Sequence, residues 1–275
     1  GATLRMAWRP PLDGQALFGF LGKRALGGVE QWADGEFRRT LAVSHRGVRH
    51  AGWLRARLDE ARHELRVELS PDLAGALGAV TERLREAFDL DADPLPIDAA
   101  LAALPVPVRT GTRVPGAFDG FETTVRIVLG QQVTVKAACT LAARLVARFG
   151  EPVATPFAGL THLFPAPQVI AEASAEALGS LGIVGQRVRA LQALARAVTE
   201  GRLDLGRHAG LEAQLAALRE LPGFGEWTVQ LVAMRVLGWP DAWPATDIGL
   251  MNALGSRDAR ELQARAEAWR PWRSY

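Results

Sequence analysis

The stretch "LPGFGEWTVQLVAMRVLG", residues 221–238, decides how the second half of the chain is read. A helix running up to about Glu220 cannot continue through Pro222, because proline removes a backbone donor and clashes with the preceding turn. Gly223 and Gly225 then flank Phe224 and allow positive φ or close backbone approach. From Gly225 an apolar helix begins, with Trp227 as its first bulky residue. The segment therefore predicts a helix, a tight glycine hairpin and a second helix whose first N–H groups point outward. Such a terminus attracts anions through unpaired donors and the helix dipole, and a DNA phosphate suits it. The same spelling also fits an ordinary helix–helix turn with Phe224 packed in the core.

Working outward, nearly every segment after "LPVPVRTGTRVPG" (104–116) has helical period, with candidate helices over 118–130, 133–149, 185–200, 211–220, 225–237, 247–254 and 258–268. Before it, "LRMAW" (4–8), "EFRRTLAVSH" (36–45), "GVRHAGWLRA" (47–56) and "HELRVELS" (63–70) read as strands, and "GQALFGFLGKRAL" (14–26) as a helix. Pro71 is placed to start a further helix through Phe88. Strands that succeed one another without crossover helices predict an antiparallel sheet. The expected fold is α+β: a small N-terminal antiparallel sheet domain with helices over 1–94, then an all-α body. In that body 120–239 holds the hairpin, and 95–119 joins 240–275 to complete a cleft.

Composition narrows the function classes. With 48% hydrophobic side chains over 275 residues the chain can bury a sizeable core. Lysine occurs only at Lys23 and Lys136, so the basic side is almost entirely arginine, a side chain suited to phosphate. Cys139 is the single cysteine, which excludes a disulfide framework, a C-x-x-C zinc site and an iron–sulfur cluster held by this chain's own thiols. No apolar run reaches membrane-spanning length, and a reducing, cytoplasmic setting is expected. His45, His50, His63, His162 and His208 lack metal-ligand spacing.

Twenty residues after Trp227, "GWPDAWPATDIGLMNALG" (238–255) places Asp247 at the start of another short helix. One role open to it is N-cap. The other is a carboxylate held at a cleft mouth beside Trp227, Trp239 and Trp243, with Asp241 as a solvated turn residue in the preceding loop. A phosphate-gripping hairpin followed by a fixed carboxylate among aromatics is the set of parts needed to extrude a base, stack it, and stabilise the cation that develops on the sugar as the glycosidic bond breaks. Cationic alkylated purines would suit the aromatic faces and need little acid assistance to leave.

These residues resemble the helix-hairpin-helix DNA glycosylases, and within them the 3-methyladenine DNA glycosylase II (AlkA) type. The similarity runs nearly end to end, through "MAWRPPLDGQALFGFLGKRAL" (6–26), "RRTLAVSHRGV" (38–48), "GAFDGFETTVRIVLGQQVTVKAA" (116–138), "LPGFGEWT" (221–228), "PATDIGL" (244–250) and "AEAWRPWRSY" (266–275). The resemblance implies that Asp247 is the catalytic carboxylate, that Trp227 lines the base pocket, and that Gly223, Gly225 and Thr228 lie at the phosphate grip; Trp243 and Trp239 are expected to line the base pocket with Trp227. It also implies a structural sodium or potassium ion on the backbone carbonyls of Arg219, Leu221 and Phe224, and no cofactor for catalysis. Bifunctional relatives carry a Schiff-base lysine where Trp227 stands, and no lysine follows Lys136, so a monofunctional hydrolase is expected.

The pattern departs in two places. The residue that fills the space left by a flipped base falls at Gln132, where the AlkA type is apolar. Gln131 and Gln132 can plug the stack and hydrogen-bond the orphaned base, or simply sit in an exposed turn. The family's last helix continues beyond "PWRSY", whereas this sequence stops at Tyr275, so substrate range or stability is expected to differ. The expected partner is duplex DNA with damaged bases, met by a monomer. The rival reading is a non-catalytic helix-hairpin-helix DNA-binding module, and a third makes the sheet domain a docking platform.

Overall fold

A computed structural model describes residues 1–275. The chain opens with strand β1 (Ala2–Ala7) and helix α1 (Gly14–Lys23), whose first turn is capped by the Asp13 carboxylate on Ala16 N–H. Strands β2 (Glu30–Ala33), β3 (Glu36–His45), β4 (Val48–Asp59) and β5 (Glu64–Leu69) follow, and the sheet order is β1-β5-β4-β3-β2 with every pairing antiparallel. Alternate residues of the long strands face one side, where Phe37, Leu54, Leu65 and Leu69 are buried against α1 and helix α2 (Leu77–Ala87). Strand β2 escaped the sequence reading because four residues carry too little alternation. Pro71 opens not an α-helix but a 3₁₀ turn over Pro71–Ala76, in which Gly75 lies so close to the His50 ring that a Cβ would sit 2.5 Å from it; the α-helix begins only at Leu77.

Helix α3 (Pro94–Leu101) lies where the sequence suggested only a joint, started by Pro94 behind an Asp93 cap. The helical body contains α4 (Gly120–Leu129), α5 (Val135–Phe149), the two-residue strands β6 (Glu151–Pro152) and β7 (His162–Leu163), and the short helices α6 (Pro167–Glu172) and α7 (Ala175–Gly179). It continues through α8 (Gly185–Thr199), α9 (Leu211–Arg219), α10 (Glu226–Arg235), α11 (Ile248–Leu254) and α12 (Ala259–Ala266). Their apolar faces make the largest core, including Val125, Leu129, Leu145, Leu191, Leu194, Leu218 and Val232. A small third core holds Trp243, Leu262, Ala266 and Trp269, with Leu104 packed on it.

The first two cores interlock. Leu26 and Val29, from the segment between α1 and β2, are buried in the helical core, and Phe118, just before α4, stacks on Phe37 in the sheet core at 5.6 Å. Between them lies a buried ion cluster: Arg39 of β3 bonds Glu30 at 2.9 Å and Glu122 of α4 at 2.6 Å, and Arg126 reaches the same two carboxylates. Burial opposes ionisation of Glu30, yet Arg126 and Arg39 hold it below the usual carboxylate range, whereas burial pushes Glu122 up against the pull of Arg39.

Candidate active site

The α9–α10 hairpin is built as its glycines require, but each glycine has a different reason. Gly223 has φ +77°, and a Cβ there would also meet the Ala190 side chain of α8 at 3.0 Å. Gly225 is extended at φ −75° and ψ 172°, forms the N-cap of α10, and has nothing within 4 Å of where a Cβ would be. Only Gly223 is conformationally required; Gly225 leaves the mouth of α10 open. No side chain caps the first N–H groups of α10. The Glu226 carboxylate beside them is occupied by Arg219 Nη2 at 2.9 Å and Gln230 Nε2 at 2.9 Å, and the hydrogen bond from Arg219 holds it below its usual range.

The two glutamines after α4 have separate positions. Gln131 points inward, its Nε2 donating to Gly223 O at 3.0 Å and to Thr228 Oγ1 at 2.8 Å, so it pins the α4–α5 turn to the hairpin. Thr228 is consequently buried, and its hydroxyl is not offered to solvent. Gln132 stands exposed at φ +55°, a conformation that costs a non-glycine residue free energy and is held by its surroundings.

Asp247 caps its helix and also touches one of the three tryptophans. Its Oδ1 accepts the Leu250 N–H at 3.0 Å as the N-cap of α11, and its Oδ2 accepts the Trp227 indole Nε1–H at 2.9 Å. One oxygen therefore fixes the carboxylate to its helix and the other fixes it to α10. Trp227, in turn, lines a cavity of about 430 Å³ with Phe20 of α1, Val135 of α5, and Leu231, Met234 and Arg235 of α10. Residues 227, 231 and 234 share one face of α10 because they follow the helical spacing of three and four.

The other tryptophans lie elsewhere. Trp243 is buried in the third core, 5.8 Å from the Trp269 ring, and Trp239 packs against the helical core; neither lines the cavity. Their place follows from a strap formed by the chain's end. Asp241, expected as a solvated turn residue, is buried and ion-paired with Arg273 at 2.8 Å and Arg270 at 2.7 Å, and Ser274 Oγ donates to Trp239 O at 2.8 Å. The loop leading to Asp247 is thus clamped from behind. Its aromatic count belongs to packing, since two guanidiniums neutralise the acid that hydropathy alone places on the surface.

The sequence reading did not single out Phe20, Leu231, Met234, Arg24 or Arg235. On their helices these apolar residues have the same periodicity as core positions, and only the meeting of α1, α5 and α10 separates cavity lining from core. Neither Lys23 nor Lys136 lines the cavity. An oriented carboxylate beside an aromatic-walled cavity, next to an uncapped helix start, can stabilise positive charge on a group held there while the helix binds an anion alongside.

Comparison with known proteins agrees with this layout. Residues 3–119 match the AlkA N-terminal domain, and residues 125–274 match the HhH-GPD superfamily base excision DNA repair protein family. The chain is 36% identical to the DNA-3-methyladenine glycosylase 2 of Escherichia coli, over 98% of this chain and 93% of that one. It is 38% identical to a Mycobacterium tuberculosis protein described as "Probable bifunctional transcriptional activator/DNA repair enzyme AlkA", over 99% of this chain; it spans about half, 55%, of that relative's length. A solved 3-methyladenine DNA-glycosylase from Archaeoglobus fulgidus shares the fold with a TM-score of 0.79 at 21% identity, covering 98% of this chain and 94% of that one.

Proposed function

The chain belongs to the HhH-GPD superfamily of base excision DNA repair proteins, with an AlkA N-terminal domain preceding the superfamily region, and on that premise we propose that it is a monofunctional DNA glycosylase. It releases alkylated bases of the 3-methyladenine type from duplex DNA by extruding the nucleotide and hydrolysing the N-glycosidic bond, leaving an abasic site. The observation that carries this reading is the Asp247 carboxylate, oriented at 2.9 Å by the Nε1–H of Trp227, whose side chain lines the cavity. As the bond breaks, positive charge grows on the sugar; a fixed carboxylate stabilises it and orients the water that attacks C1′. A phosphate grip needs neither the carboxylate nor the cavity, which weighs against the non-catalytic alternative.

Other parts take supporting roles. The N–H groups at the start of α10, reached past Gly225, take a DNA phosphate, and exposed Gln132 fills the space left by the extruded base, with Gln131 holding its turn. The carbonyls of Arg219 and Phe224 accept no hydrogen bond from the chain, and Leu221 O accepts only a 3.3 Å bond from Phe224 N–H, so the turn is suited to a sodium or potassium ion as a structural brace. Leu104 on the third core supports grouping 95–119 with 240–275, beside units at 1–94 and 120–239. No helix is long and apolar enough to cross a membrane, and the enzyme is read as a cytoplasmic monomer acting on damaged duplex DNA.

The test is the fate of the strand. Purified protein is incubated with alkylated duplex, and breaks are scored before and after alkali, with borohydride added in parallel. Base release with breaks only after alkali and no covalent protein–DNA adduct is the expected result. A borohydride-trapped adduct would contradict the monofunctional assignment, and salt-dependent DNA binding without release would favour the binding module.

A further inference from the structure

The turn between α4 and α5 is fastened at more points than a helix–helix joint requires. Gly130 ends α4, and the Thr134 hydroxyl caps α5 by accepting the Ala137 N–H at 3.1 Å. Between them Gln131 is held on two sides. Its Nε2 donates to Gly223 O at 3.0 Å and to Thr228 Oγ1 at 2.8 Å, and its backbone carbonyl accepts from Nη2 of Arg187 in α8. Only Gln132 and Val133 span the gap from this anchor to the cap, and Gln132 does so at φ +55°. Gly130, Val133 and Thr134 line the cavity, whereas the Gln132 side chain is exposed. The turn therefore borders the cavity and directs Gln132 outward beside it.

Arg187 has no other task in the fold. It forms no ion pair, and Nη2 to Gln131 O is the one hydrogen bond of its side chain, which is half-buried where neighbouring Arg189 is exposed. The same helix backs the hairpin, because a Cβ on Gly223 would lie 3.0 Å from the Ala190 side chain and 3.7 Å from Gln186 O. Helix α8 thus supports both the phosphate grip and the glutamine turn.

A left-handed conformation disfavours any residue with a Cβ, so Gln132 keeps it only while its surroundings impose it. The Gln131 carbonyl belongs to the peptide plane whose other end is the Gln132 nitrogen, and fixing its direction fixes the plane about which φ of Gln132 is set. A guanidinium donor holds that carbonyl more strongly than a neutral one. The inference rests on the glycosylase reading above, in which Gln132 fills the space left by the extruded base. We propose that Arg187 is a positioning residue for base extrusion, holding Gln131 O so that Gln132 is preset to enter the stack before DNA arrives. A preset wedge needs no ordering of the turn at the moment of insertion. Arg187 does not line the cavity, and the Asp247 carboxylate is bonded to Leu250 and Trp227, so the effect of Arg187 passes through Gln132.

Single-turnover release of one lesion from two duplexes tests this. In the first, 7-methylguanine is paired with cytosine; in the second it faces a tetrahydrofuran abasic analogue, so no base pair has to be opened. Arg187→Met is expected to lower release from the paired duplex about tenfold, as one hydrogen bond from a charged donor is lost, and to leave the unpaired duplex within about twofold. Arg187→Lys keeps a donor and should recover part of the loss. A 2-aminopurine placed 3′ to the lesion brightens when its neighbour leaves the stack, and it is expected to brighten less with saturating Arg187→Met than with the wild type. In a Gln132→Ala background Arg187→Met should add less than about twofold, because both changes remove the same step. Equal losses on the two duplexes, or losses that multiply in the double variant, would overturn the proposal. So would a loss that changes with the base opposite the lesion, which would assign Arg187 a direct contact to that base. Should Arg187→Met not fold, Arg187→Lys decides by the same criterion, with a smaller loss confined to the paired duplex. A paired duplex indifferent to Gln132→Ala would overturn the proposal and leave the glycosylase reading standing. Release from neither duplex by the wild type would sink that reading, and the proposal with it.

Discussion

Asp247 and Trp227 form a unit in which each side chain does two things. The carboxylate caps α11 and accepts the indole N–H, while the indole orients the carboxylate and walls the cavity. Trp227→Phe separates these roles, because phenylalanine keeps an aromatic face but cannot donate. Base release by this variant is expected to fall by about tenfold, as one hydrogen bond to a charged group is lost, with duplex affinity changed less than twofold. An unchanged rate would show that the indole N–H does not position the carboxylate. Both residues were legible in the sequence, since a short helix start and an aromatic after a glycine turn are local signals. Their nearness across twenty positions was one of two readings, but the indole–carboxylate hydrogen bond that joins them, and the exclusion of Trp239 and Trp243 from the cavity, were not legible. Those depend on Arg270 and Arg273 pulling Asp241 inward, which no spacing rule encodes.

At the scale of the element, the hairpin assigns its glycines distinct tasks that substitution can tell apart. Gly223→Ala places a Cβ at φ +77° and against Ala190, and is expected to cost about 1–3 kcal/mol of stability in denaturant titration. Gly225→Ala meets open space in an extended conformation, so stability should change by less than about 0.5 kcal/mol while DNA affinity drops through the methyl group at the mouth of α10. The reverse pattern, with Gly225→Ala destabilising and Gly223→Ala weakening only binding, would refute this division. The pairing of both glycines with a following helix was readable from "LPGFGEWT". Which of them needed positive φ was not, because that depends on how closely α8 approaches.

Over the whole molecule, the sheet unit and the helical body are joined by exchange: Leu26 and Val29 enter one core, Phe118 the other, and the Arg39 cluster lies between. Alternation and period separated the two halves in sequence, yet left the cluster invisible, since Arg39 and Glu122 stand 83 residues apart. Arg39→Met leaves two glutamates buried with only Arg126 between them, and should cost about 3–5 kcal/mol in chemical denaturation. A loss below about 1 kcal/mol would mean that the cluster is not what joins the halves. The interlock also serves the site, because it brings Phe20 and Arg24 of the first unit against α10. The central claim, that the Asp247 carboxylate stabilises the developing sugar cation, is tested most directly by the single-turnover rate of base release in Asp247→Asn, which keeps size and can still cap α11. The account predicts a loss of about a hundredfold or more with duplex binding retained or strengthened. A variant that releases base at nearly the wild-type rate would contradict it.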